Sequence, residues 1–224
     1  FSAYVHGGER PFNISLSVEK EASAHRTLTL RAFYRQFEPA SVPSEYYDFL
    51  AGKLGKSPDD VLYKLPIFRK QVNAARAEAQ MLELGKDNRT INQAIENALG
   101  SRPGNWVLIG GPPCQAYSLM GRSRNRGIKD YRPEDDHRSY LYKEYLKVIS
   151  KYRPAVFVME NVKGILSANV DGGRIFHKIL DDLRCPARAV RGAYRRTDYH
   201  VVPLVIGGHP INLFGDSSEP GDFV

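Results

Sequence analysis

Polar and apolar residues alternate along Asn13-Ile14-Ser15-Leu16-Ser17-Val18-Glu19, the period of a half-buried strand. The spacing then changes to that of a helix from Ala22 to Phe37, with Leu30, Phe33 and Phe37 on one face. This is a β-α step whose strand ends on an acid. Glu38 to Pro66 has no clear period, and Phe68 to Leu84 places Val72, Ala75, Ala79 and Leu82 on one helical face, with Gly85 as the expected stop. The stretch 38–85 therefore reads as a helical insertion. Thr90 is a candidate cap for a helix running through Leu99, striped by Ile91, Ala94, Ile95 and Ala98.

The second half repeats a strand-helix rhythm. Trp106-Val107-Leu108-Ile109 is a compact apolar run that stops at Gly110-Gly111-Pro112-Pro113, as a buried parallel strand does when it delivers its end to a loop. Ser139 to Tyr152 reads as a helix with Leu141, Tyr145, Val148 and Ile149 inward, ended by Pro154. Ala155 to Met159 is a further buried strand closing on Glu160-Asn161; Arg174 to Leu183 is a helix and Tyr199 to Ile206 a strand. The alternation predicts an α/β fold, an open and mostly parallel sheet with helices on both faces, whose ligands sit beyond the carboxyl ends of the strands.

Composition changes this picture little. The 224 residues are 42% hydrophobic and 25% charged, ordinary for a globular domain. The formal charge of +7 makes a polyanionic partner plausible without requiring one. The two cysteines, Cys114 and Cys185, belong to no Cys/His cluster of zinc-binding spacing, so no metal is expected, and one pair does not make a secreted disulfide framework. No apolar run approaches the length of a membrane helix, so no membrane partner is expected. The expected location is cytoplasmic.

Two strand ends carry candidate chemistry. Cys114 follows two prolines, each of which fixes φ, so the turn can hold a thiolate in one place; a small buried apolar residue is the other reading of it. Glu160 ends the next apolar strand, where burial could keep its carboxyl protonated enough to donate; a carboxylate capping the following turn is the alternative.

Pro112-Pro113-Cys114-Gln115 with Tyr117-Ser118, followed about 45 residues later by Glu160-Asn161-Val162, resembles the signature pair of the DNA (cytosine-5)-methyltransferases. The resemblance runs from about Leu16 to Val224 and implies a Rossmann-like, S-adenosylmethionine-dependent methyltransferase fold. It implies Cys114 as nucleophile, Glu160 as the acid that assists at N3 of the cytosine, and Asn161 as the residue that ties the Pro-Cys loop. Glu19 would bind the cofactor ribose, Asp87 would face the adenine amino group, and Pro113 and Leu141 would complete the cofactor contacts. Gln115 and Ser118 would line the DNA side, while Arg122, Arg124 and Arg126, with Lys129 nearby, would contact phosphates. The partner implied is double-stranded DNA with its target cytosine flipped out, in a restriction-modification setting.

The departures are equally legible. His6-Gly7-Gly8-Glu9 is a poor version of the Gly-rich first loop that carries the cofactor's methionine moiety, and no Gln-x-Arg-x-Arg segment, target-recognition region or returning C-terminal helix is found. The chain reads as an excised, partial catalytic domain, expected to be inactive alone. Three alternatives stand beside this reading. One is a relative that methylates tRNA, another is a non-catalytic nucleic-acid-binding fragment, and the third, an unrelated nucleotide-binding α/β protein, is disfavoured because no G-x-G-x-x-G follows a strand.

Overall fold

The computed structural model describes residues 11–101, 104–111, 141–160, 169–170, 173–190, 192, 194–203, 205–206 and 209–210. The chain forms two compact units, Phe1–Pro103 and Gly104–Val224.

In the first unit, strand β1 (Ser17–Glu19) leads into helix α1 (Ala22–Tyr34). Helix α2 (Ser44–Leu50) and helix α3 (Arg69–Glu78) follow, then strand β2 (Ala79–Met81) and helix α4 (Asn88–Leu99). β1 and β2 pair in parallel, with Ser17 opposite Ala79 and Glu19 opposite Met81. The helix expected over Phe68–Leu84 therefore stops at Glu78, and its last apolar residues become a strand. Ala79 leaves the helical region at φ −97° and ψ 109°, and the ladder to β1 takes over its hydrogen bonding. Tertiary pairing overrides local helical spacing here.

The core of this unit is aromatic. Phe33 is fully buried on α1, with its ring 5.1 Å from Phe37, 5.5 Å from Tyr63 and 5.6 Å from Phe68. Leu62, Tyr46, Val72, Ala75 and Ala79 complete the cluster. Arg35 and Glu78 form an ion pair on the flank of this core, with the Glu78 side chain only 8% exposed. α4 starts at Asn88 with Asp87 preceding it, earlier than the Thr90 cap expected from sequence, and ends at Gly100, whose φ of 65° suits a residue without Cβ.

In the second unit, strand β3 (Val107–Gly110) pairs in parallel with strand β4 (Val156–Met159), Val107 opposite Val156 and Gly110 opposite Met159. Helix α5 (Leu141–Tyr152) crosses between them in sequence, the β-α-β arrangement the sequence predicts. Two-residue strands β5 (Asn169–Val170) and β6 (Gly173–Arg174) form an antiparallel ribbon, followed by helix α6 (Ile175–Arg184) and the short helix α7 (Pro186–Ala189). Strands β7 (Val205–Ile206) and β8 (His209–Pro210) form a second antiparallel ribbon. The strand expected over Tyr199–Ile206 is confined to β7; Tyr199 and Val201 instead pack on the core.

That core joins Tyr142, Tyr145, Leu146 and Ile149 of α5 to Ile179 and Leu183 of α6 and to Val190. Leu108, Phe157 and Met159 rest against it from one face of the β3–β4 pair. Residues of the opposite face are open: Ile109 is 53% and Val156 52% exposed. Among the described residues, then, helices cover one face of this pair rather than both. No described helix is long and apolar enough to cross a membrane.

Candidate active site

Parallel pairing of β3 and β4, Gly110 opposite Met159, brings two segments 49 residues apart in sequence to neighbouring strand ends. The backbone N–H of Glu160 donates to the Gly110 carbonyl at 3.2 Å, one step beyond the Gly110–Met159 pairing. At the other end of the pair, Ala155 N–H donates to Trp106 O at 3.0 Å, so the two strands are tied along their whole length. Gly110 stands four residues before Cys114, and Glu160 one residue before Asn161.

The helix behind this pair reinforces it. Tyr145 is buried on α5, and its hydroxyl donates to Val158 O at 2.9 Å and lies 3.5 Å from Leu108 O. One side chain thus touches a carbonyl of each strand just before both reach their ends. Burial pushes the Tyr145 hydroxyl well above the usual tyrosine range, which keeps it a proton donor. Its ring also explains Gly110. A Cβ placed there would lie 2.7 Å from Tyr145 Cε2, closer than side-chain carbons approach.

The Glu160 side chain is exposed at the end of β4, not buried as the strand-end position suggests from sequence. It folds across Gly111, where a Cβ would lie 2.8 Å from Glu160 Cγ and 2.9 Å from Oε1. Leu141, in the first turn of α5, is buried.

Glu19 and Asp87 lie in the first unit, on either side of one dipeptide. Leu82 N–H donates to the Glu19 carbonyl at 3.2 Å, and Glu83 N–H donates to Asp87 Oδ2 at 2.8 Å. Asp87 N–H returns a bond to Glu83 O at 2.8 Å, so this carboxylate shapes the turn that leads into α4. Glu19 Oε1 accepts from Glu21 N–H at 2.8 Å across the start of α1. One oxygen of each carboxylate is thus held by backbone, which aims the other. An acid so placed at the carboxyl end of a strand fits a ribose diol.

Pro113, Cys114, Gln115, Ser118, Arg122, Arg124, Arg126 and Asn161 lie outside the described residues. Cys185 is free and buried at the end of α6. Sequence reading singled out Tyr145 only as an inward helix position, although a buried tyrosine hydroxyl needs a partner and so hinted at a polar role. Gly111 gave no comparable sign.

A family model described as C-5 cytosine-specific DNA methylase matches residues 86–185. A type II methyltransferase of Bacillus paralicheniformis is 30% identical over 190 residues, covering 76% of this chain and 40% of that protein. One of Picosynechococcus is 34% identical over 105 residues, 46% of this chain and 38% of that protein. A third, of Thalassovita gelatinovora, is 39% identical over 82 residues, 36% of this chain and 17% of that protein. The chain thus spans two fifths or less of the length of these three relatives. No solved structure matches it.

Proposed function

We infer that this chain is part of a C-5 cytosine-specific DNA methylase, the family whose model matches residues 86–185, and that the protein containing it transfers a methyl group to C5 of cytosine in DNA. The observation that carries this reading is the side-by-side arrangement of two strand ends. Glu160 is bonded through its N–H to Gly110, and Gly110 leads through two prolines to Cys114.

The chemistry asks for such an arrangement. C5 of cytosine is not nucleophilic until a nucleophile adds at C6, and both atoms are inaccessible inside the stack, so the base is extruded first. Cys114 thiolate forms a bond to C6, and the displaced electron pair is taken up toward N3, where Glu160 donates a proton or hydrogen bond. The ring becomes an enamine with a nucleophilic C5. S-adenosylmethionine, when bound, supplies an electrophilic methyl on its sulfonium. Once C5 carries the methyl, the donor being left as a neutral thioether, loss of the C5 proton to a base restores the double bond and expels the Cys114 thiolate, and the proton held at N3 returns to Glu160. By the same resemblance, Asn161 would tie the Pro-Cys loop through backbone hydrogen bonds.

Glu19 would accept from the ribose hydroxyls, and Asp87, through the oxygen not engaged by Glu83 N–H, from the adenine amino group. Pro113 and Leu141 would line the cofactor. Gln115 and Ser118 would face the extruded base, and Arg122, Arg124 and Arg126 the phosphates. Residues 1–224 read as part of a catalytic domain with a helical insertion at 38–85.

The test is substitution of the nucleophile in the full-length protein. Cys114→Ser should abolish transfer of tritiated methyl from S-adenosylmethionine to DNA, because a hydroxyl is a far weaker nucleophile than a thiolate near neutral pH. Unchanged transfer in the serine variant would remove Cys114 from the mechanism.

A further inference from the structure

Two adjacent glycines at the end of β3 face different neighbours. A Cβ at Gly110 would meet the Tyr145 ring, which is 5% exposed and held by its hydroxyl bond to Val158 O. A Cβ at Gly111 would meet Glu160 and nothing nearer, at 2.8 Å from Cγ, 2.9 Å from Oε1 and 3.3 Å from Cδ. The first neighbour is a packed ring that cannot yield. The second is the far end of an exposed, flexible side chain, which can swing aside at little cost to the fold.

We propose that Gly111 is a positioning residue of the methyl transfer: the space left by its missing side chain is the seat in which the Glu160 carboxyl is held. The proposal rests on the assignment of Glu160 as the acid at N3. Three contacts converge on that seat. The Glu160 backbone is fixed by its N–H bond to Gly110 O at 3.2 Å. The strands carrying both residues are tied together behind it by the Tyr145 hydroxyl. The carboxyl itself then lies across the Gly111 Cα, so its direction is set by a surface that exists only while residue 111 lacks Cβ. A methyl group there leaves Glu160 in the protein but turns its carboxyl away. A displacement of about 1 Å suffices to cost on the order of 10²-fold in rate.

The experiment compares wild type, Gly111→Ala, Glu160→Gln and the double variant of the full-length protein, reading kcat and KM for methyl transfer to DNA together with melting temperature. Gly111→Ala should lower kcat roughly 10- to 10²-fold with little change in KM for DNA or in melting temperature. In the Glu160→Gln background the same change should cost no more than about twofold, because two residues acting through one group are not additive. A full additional loss in that background would show that Gly111 serves the Pro-Cys loop instead, and would overturn the proposal. So would a wild-type kcat in Gly111→Ala, or a variant that fails to fold. If Glu160→Gln alone turned over normally, the assignment of the acid would fall first, and this proposal with it.

Discussion

Glu160 is exposed and anchored by its backbone N–H, so a glutamine can take its place without repacking. Glu160→Gln should therefore keep DNA binding and lower the chemical rate by roughly 10²- to 10⁴-fold, the usual range for losing a positioned acid. A binding titration beside single-turnover kinetics checks this; weaker binding with normal turnover would contradict the role. At Gly110, the last residue of β3, the balance reverses. Gly110→Ala drives a methyl into the Tyr145 ring and should cost about 1–3 kcal/mol of stability through overpacking, read as a marked fall in melting temperature, where Gly111→Ala barely changes it. The candidates that sequence offers at this scale are residues whose type is itself chemical: a cysteine after two prolines, a glutamate at a strand end. Gly111 and Tyr145 carry no such sign, because their surroundings are set by contacts with residues 49 and 13 positions away.

Among the elements, the long periodic ones were readable and the short paired ones were not. α1, α4, α5 and α6 follow from apolar spacing, and β3 and β4 from compact apolar runs ending at Gly110 and Glu160. β2 was hidden inside a helical pattern, because Ala79, Gln80 and Met81 carry no β-branched residue and become a strand only through pairing with β1. The junction that makes this switch is held by the Arg35–Glu78 ion pair, so Glu78→Ala, which leaves a partly buried guanidinium without its carboxylate, should destabilise the first unit in denaturant melts by less than the roughly 3–5 kcal/mol of a fully buried pair. In the second unit, Tyr142 of α5 donates its hydroxyl to Asp182 Oδ2 of α6 at 3.0 Å. Burial pushes the Asp182 carboxyl above its ordinary 3.8, against the opposing pull of the Tyr142 hydroxyl, Lys178 and Lys143. The folded state therefore holds this proton more tightly than the unfolded chain. Its contribution is fully present below pH 3.8 and is lost as pH rises through the folded value. Asp182→Asn, which keeps an acceptor for Tyr142, should gain melting temperature relative to wild type as pH rises from about 4 to 7; a constant difference would contradict the direction of this shift.

At the scale of the whole molecule, the α/β class and the order of the strand-helix steps were readable, because each step ends on Gly, Pro or an acid. The open face of β3–β4 was not, since periodicity reports that a strand is apolar and not what covers it. Part of the formal charge of +7 lies in Arg122, Arg124 and Arg126, a run that begins eight residues after Cys114 in sequence. If these three contact phosphates, replacing all of them by alanine should reduce the slope of log affinity against log salt by roughly 2–3 for duplex DNA. The proposed reaction changes one atom of one base, and finding where the methyl goes tests it most directly. The full-length protein, incubated with S-adenosylmethionine and either duplex DNA or tRNA, should yield 5-methylcytosine in the nucleosides of the digested DNA. A methyl group found on an exocyclic nitrogen, or in the tRNA alone, would contradict the account.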